Sequence, residues 1–236
     1  VKYKAIVSES SYDETIKYLN SIGVETKIIK FEGYVYSEIN DHPDVFLLNI
    51  EGDIFIPPNI IELEKLLLDN KVSFSNTRLP LGKSYPIDSI LNVAIVGKNA
   101  ICNTIYTDKN IIEYFNKNNY FIHHVKQGYS SCSIVPVSAN AFITGDRGIY
   151  NSLKDCFDIL YLDSMKIILK DSKMNGLLGG TCALIDKYLI FNGTPIEQKY
   201  KELIINFVNK YNKTAVFSCD KPLKDMGSVR VFLEVK

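Results

Sequence analysis

Four stretches of the chain repeat one pattern, an apolar run, a short polar turn and a second apolar run, and that repetition leaves few folds open. They are "VFLLNIEGDIFIPP" from Val45, "NVAIVGKNAICN" from Asn92, "NAFITGDRGIYN" from Asn140 and "TCALIDKYLIFN" from Thr181. The turns Glu51-Gly52-Asp53, Gly97-Lys98-Asn99, Gly145-Asp146-Arg147 and Asp186-Lys187 supply residues that tolerate the dihedrals of a tight reversal, so each stretch reads as a β-hairpin. The spacing of roughly 40 to 50 residues is that of an array of supersecondary units.

The segment after each hairpin also recurs. "NIIELEKLLLDN", "DKNIIEYFNKNN", "SLKDCF" and "PIEQKYKELIINFVNKYN" place apolar residues three and four apart, the signature of amphipathic helices. Asp108 suits an N-cap and Pro195 a first helical turn. Each helix gives way to a β-rich run: "KVSFS", "YFIHHV", "DILYL" and "KTAVFS". The unit is therefore hairpin, helix, strand. Near the start, "KYKAIVS", "YDETIKYLNS" and "VETKIIK" form a unit that lacks the first hairpin arm, and "SVRVFLEV" near the end supplies it. Pairing of Val229–Val235 with Lys4–Val7 would leave no free edge between first and last units. The expected architecture is a single α/β domain, 1–236, of five ββαβ units in a five-fold pseudosymmetric α/β propeller, with units closing near 1–40, 41–88, 89–136, 137–177 and 178–236. "DSMKIILKDSKMNGLLGG" is an insertion with some strand character.

Composition narrows the function. At 236 residues, 46% hydrophobic and 23% charged, the chain can bury a substantial core. Lys plus Arg equals Asp plus Glu at 27 each, so no overall basic field recruits nucleic acid or acidic membrane. No apolar run approaches the ~20 residues needed to cross a bilayer, and a cytoplasmic protein is the expectation. Five scattered cysteines without a CxxC pair fit reduced thiols. The histidines show no HxxxH or HxH spacing, and His123 and His124, adjacent on a strand, face opposite sides; no metal site and no cofactor are expected. "NGLLGG" lacks the spacing of a phosphate loop.

Five such units, with "HPDVFLLNI" (His42–Ile50), "VKQGYSSCSI" (Val125–Ile134) and "SCDKPLKDMGSVRVFLEV", resemble the pentein fold of the guanidino-group-modifying enzymes. That superfamily includes arginine deiminase, dimethylarginine dimethylaminohydrolase, agmatine deiminase and amidinotransferases, with a non-enzymatic ribosome anti-association branch. The chain looks most like an uncharacterised clostridial-type family of this fold. The resemblance implies a thiolate that attacks a guanidinium carbon, a histidine that shuttles the proton and carboxylates that hold the cation. Aligned on Gly227, however, Val231 stands at the nucleophile's position, and aligned on Gly128, Ser130 stands at the histidine's. Valine cannot attack carbon, and a serine hydroxyl is a poor substitute for imidazole.

The carboxylate side is better kept, with Asp44 in the family pattern and Asp88 or Asn92 near the acidic position of the next unit. The leading expectation is a divergent member without the standard Cys-His pair that binds a small amino-acid-like or guanidino ligand in an axial cavity. Candidate ligand contacts are Asp44, Asp88, Asn92, Ser130, Thr181 and Arg230, with His42 at the rim. One alternative is a hydrolase or amidinotransferase using a displaced thiol, Cys182 first, with Cys132 and Cys219 behind it. Another is a non-enzymatic ribosome- or protein-binding role. A small molecule is the expected partner, with neither nucleic acid nor membrane.

Overall fold

In the computed structural model, which describes residues 1–170 and 172–235, the repeated pattern folds into five three-stranded sheets of one design. Asp171 in the insertion and Lys236 at the end of the chain lie outside the described residues.

The chain begins with β1 (Tyr3–Ser8), α1 (Asp13–Ser21) and β2 (Val24–Ile29), then a short helical turn α2 (Pro43–Phe46). The next sheet holds β3 (Leu48–Ile50), β4 (Asp53–Ile56) and β5 (Phe74–Asn76), with α3 (Ile61–Asp69) crossing between the last two. It is followed by β6 (Ala94–Val96), β7 (Asn99–Cys102), α4 (Lys109–Lys117) and β8 (Phe121–His124). A second helical turn, α5 (Ser130–Ser133), precedes β9 (Ile134–Ser138), β10 (Ala141–Thr144), α6 (Arg147–Leu153) and β11 (Asp158–Tyr161). After β12 (Ile168–Leu169) come β13 (Cys182–Ile185), β14 (Tyr188–Phe191), α7 (Gln198–Asn209) and β15 (Thr214–Phe217), and the chain finishes with β16 (Lys224–Asp225) and β17 (Arg230–Glu234).

In each of these five sheets the middle strand pairs antiparallel with its hairpin partner and parallel with the strand beyond its helix, as for β4 with β3 and β5. The parallel pairing needs a crossover, and the amphipathic helix provides it while covering the sheet. The first sheet follows the same rule with a distant arm: β1 runs parallel to β2 and antiparallel to β17, with Ala5 opposite Val231. Burial is divided among five apolar clusters, four of them containing a fully buried phenylalanine: Phe46, Phe115, Phe142 or Phe191. Helix α4 illustrates the local logic. Ile111 and Phe115 face inward, and the Asp108 carboxylate accepts from Asn110 N at 2.9 Å, capping the first turn.

Two expectations from sequence shift. The third hairpin reverses between Ser138 and Ala141, not at Gly145-Asp146-Arg147. Asp146 instead accepts from Ile149 N at 2.8 Å and caps α6, which begins at Arg147. Pro195 lies ahead of α7, whose N-cap is Glu197. The inserted segment does carry a strand, β12, which pairs parallel with β16 and brings the insertion over the segment before β17.

Candidate functional site

The segments that enter the five hairpins converge. Asp44 N donates to Gly227 O at 3.1 Å, and Met226 N and Ser228 N both donate to Gly180 O at 2.9 Å. Asn92 Oδ1 accepts from Ser131 N at 2.8 Å and Cys132 N at 3.2 Å. Gly179 lies so close to α5 that an added Cβ would sit 2.3 Å from Ser131 O. These contacts bring together residues that are tens to hundreds of positions apart in sequence.

At the centre is Cys132. Its thiol donates to Asp44 Oδ2 at 2.7 Å and accepts from Asn92 Nδ2 at 3.1 Å. Burial pushes the thiol well up, and the charges of Asp44 and Asp225 push it further, so sulfur holds its proton. Cys132 lines a cavity of about 230 Å³ with His42, Asp225, Tyr36, Tyr129 and Gln127. The insertion contributes Leu169 and residues 174–177 to the wall.

His42, Asp44 and Asp225 are 2%, 0% and 3% exposed. Asp225 Oδ2 accepts from Leu177 N at 2.8 Å and Oδ1 from Gly227 N at 3.0 Å; burial nevertheless pushes its carboxyl up. The His42 Nδ1 lies 3.8 Å from Asp225 Oδ1, while its Nε2 and Asp44 Oδ1 have no hydrogen-bond partner among the described residues. Among the described residues no lysine or arginine pairs with Asp44 or Asp225. The neighbouring Asp41 differs. Burial pushes its carboxyl up, but hydrogen bonds from Ser8 and Ser10, with His42 and Lys170 nearby, bring it below the usual value. Asp88 is buried with neither oxygen in a hydrogen bond of ordinary geometry; burial pushes it up, and the Tyr129 hydroxyl opposes that shift.

The sequence-selected residues fall into separate places. Asp44 and Asn92 meet at Cys132. Ser130 turns to the carbonyl of Gln127 and Thr181 to that of Leu178, both satisfied within their own turns. Arg230 and Cys182 line another cavity, about 240 Å³, which shares no lining residue with the first. Burial pushes the Cys182 thiol far up, and its polar contact is Gly179 O at 3.7 Å. Cys219 lies against Ser218 Oγ at 3.8 Å, half-buried. Sequence reasoning did not select Asp225, whose one signal is an acid two residues before Gly227, and it placed Cys132 behind Cys182 and His42 at the rim. His123 is bonded to Asn99 and His124 to Thr104, on opposite sides of β8. Among the described residues no three His, Cys, Asp or Glu could hold a metal ion, and no helix is long and apolar enough to cross a membrane.

Solved structures share this fold at low sequence identity. Agmatine deiminase from C. jejuni, with substrate bound, matches at a TM-score of 0.58 and 12% identity, over 100% of this chain and 95% of that one. DDAH from Pseudomonas aeruginosa, complexed with citrulline, matches at 0.56 and 10%, over 92% and 93%. Inosamine-phosphate amidinotransferase from Streptomyces griseus matches at 0.58 and 12%, over 93% and 78%. The architecture is thus that of the guanidino-modifying proteins. No curated protein matches the sequence. A model described as "Family of unknown function (DUF6873)" matches residues 6–230, and the chain belongs to that family.

Proposed function

We propose that the chain is a divergent five-fold α/β propeller of the guanidino-modifying type, closed by its terminal strands, that binds a small guanidinium- or amidinium-bearing ligand without the fold's usual Cys-His pair. The observation that carries this reading is the pair of buried carboxylates, Asp225 on the cavity wall with His42 3.8 Å away and Asp44 behind the Cys132 thiol, with no lysine or arginine paired to either among the described residues. Buried carboxylates without a permanent cation beside them are costly, and a bound cation would offset that cost. A cavity of about 230 Å³ suits an amino-acid-sized molecule, and the Tyr36, Tyr129 and Gln127 side chains offer polar contacts beside apolar Ile39, Val45 and Leu169.

Thermal unfolding with arginine, agmatine, methylarginine and neutral citrulline tests the reading. Stabilisation by the cations and not by citrulline is the expected result, about 2.7 kcal/mol at a hundredfold excess over Kd. Asp225→Asn should abolish it. Failure of every guanidino compound to raise the transition would remove the proposal.

A second reading, thiol chemistry on a C–N bond, is favoured by one observation: Cys132 shares its cavity with His42 and Asp225. A cation there would weaken the field that holds the Cys132 proton. Ligand should then accelerate its alkylation by iodoacetamide at mildly acidic pH, and protection or indifference would exclude this reading.

A further inference from the structure

The second cavity differs in kind. It is lined by Asn49, Ser131, Cys182, Ser228 and Arg230 among apolar residues, and among the described residues no aspartate, glutamate, lysine or histidine lines it. Arg230 is its single charge. The guanidinium reaches across from β17 to the hydroxyl of Ser131, ninety-nine positions earlier in the chain, and its buried Nε has no acceptor among the described residues. Among the described residues no carboxylate forms an ion pair with it. The nearby acid Asp225 lines the other cavity and is held there by Leu177 N and Gly227 N.

Arginine cannot shed its charge, so it cannot relieve its desolvation by deprotonating, as a buried lysine can. A half-buried guanidinium answered by one neutral hydroxyl is an incomplete ion pair, and its planar fork matches a carboxylate edge. Two other polar groups beside it are already engaged. Asn49 Nδ2 donates to Val231 O at 2.7 Å, and Ser228 Oγ to Cys182 O at 2.8 Å. That leaves Arg230 with Ser131 as the recognition pair, in a space of about 240 Å³ whose other walls are uncharged.

We infer that this cavity is a binding site for a small monoanion, the carboxylate of a compact acid above all, held by Arg230 and Ser131. The inference is independent of the cation proposal, because the two cavities have no lining residue in common. Either can fail alone.

The test is thermal unfolding of the whole chain at fixed ionic strength, exchanging sodium fluoride for sodium acetate or sodium bromide. Wild type should show a saturable rise of the transition by several degrees, and Arg230→Met, which keeps the apolar stem, should show none. Arg230→Lys should restore a weaker response. A larger acetate response identifies a carboxylate site and a larger bromide response an inorganic-anion site, both supporting the inference. Equal shifts in wild type and Arg230→Met, or no saturable shift in wild type, overturn it. Should Arg230→Met fail to fold, bromide-soaked wild-type crystals decide the matter: an anomalous peak at the Arg230 guanidinium supports the site, and a featureless map there overturns it.

Discussion

The two cavities are built from the same converging segments yet carry opposite charge. Ser131 and Cys132, adjacent in the chain, line different ones, and so do Asp225 and Arg230, five residues apart. In the first, acids gather around a thiol and hold its proton; in the second, a lone guanidinium stands among uncharged walls. A repeated unit places equivalent backbone around a centre, so the side chain at each step, more than the fold, decides what each side can hold. The fold supplies geometry, and single residues supply sign.

The largest expected effect comes from the terminal strand. Deleting residues 229–235 removes the antiparallel partner of β1 and with it buried Val229 and Phe232 and the Arg230 guanidinium. An edge left open along β1 and two vacated core positions are together large against the roughly 5–15 kcal/mol that separates a folded domain from its unfolded chain. No cooperative unfolding transition is therefore expected by calorimetry. A normal transition in the shortened chain would refute the role of the terminal pairing.

Next in size are substitutions that should separate the cavities. Gly227 has φ of +63°, and a Cβ there would lie 2.3 Å from His42 Cβ and 2.5 Å from its Cα. Gly227→Ala therefore combines left-handed strain with overpacking, together about 2–5 kcal/mol by denaturant titration. If folded, it should lose the response to arginine while keeping the response to acetate. Loss of both would mean that the cavities are energetically one site.

The range of each signal decides how much of this was legible in the sequence. Hairpins, helices and the terminal arm are patterns of period and turn chemistry, and they read correctly except where Asp146, a helix cap, resembled part of a turn and where Pro195, ahead of α7, resembled a first helical turn. The side-chain cluster is different. His42, Cys132 and Asp225 meet only through the convergence of segments, and no spacing along the chain encodes that meeting. Arg230 was legible as a charge beside Val231, but its separation from Cys132 and Asp225 is visible only in the two cavities.

Acid and base dependence offers a finer contrast. Burial raises Asp225 and Asp88 in the folded chain, so the folded state holds protons that the unfolded state releases near pH 4. Their contribution is most favourable at low pH and is lost as pH rises from that value through the raised folded values. Asp41 runs the other way, since its lowered value adds stability above the ordinary carboxylate range that disappears on acidification. Asp225→Asn should flatten the decline on the alkaline side of pH 4 without touching the Asp41 contribution. An unchanged stability–pH curve would place the charge cost elsewhere.

The smallest effect belongs to Cys182. Its thiol is buried on β13, is pushed up by desolvation, and has no histidine or carboxylate among the residues that share its cavity. Arg230 draws the value down, while Asp225 opposes it. With a carbonyl at 3.7 Å as its polar contact, the sulfur acts as a small apolar filler. Cys182→Ala should therefore cost about 1 kcal/mol, the loss of one buried group, and leave arginine stabilisation and Cys132 alkylation as they are in wild type. If it abolished either, the thiol chemistry would belong to the arginine-bearing cavity, and the division of the molecule into an acidic side and a basic side would have to be redrawn around Cys182.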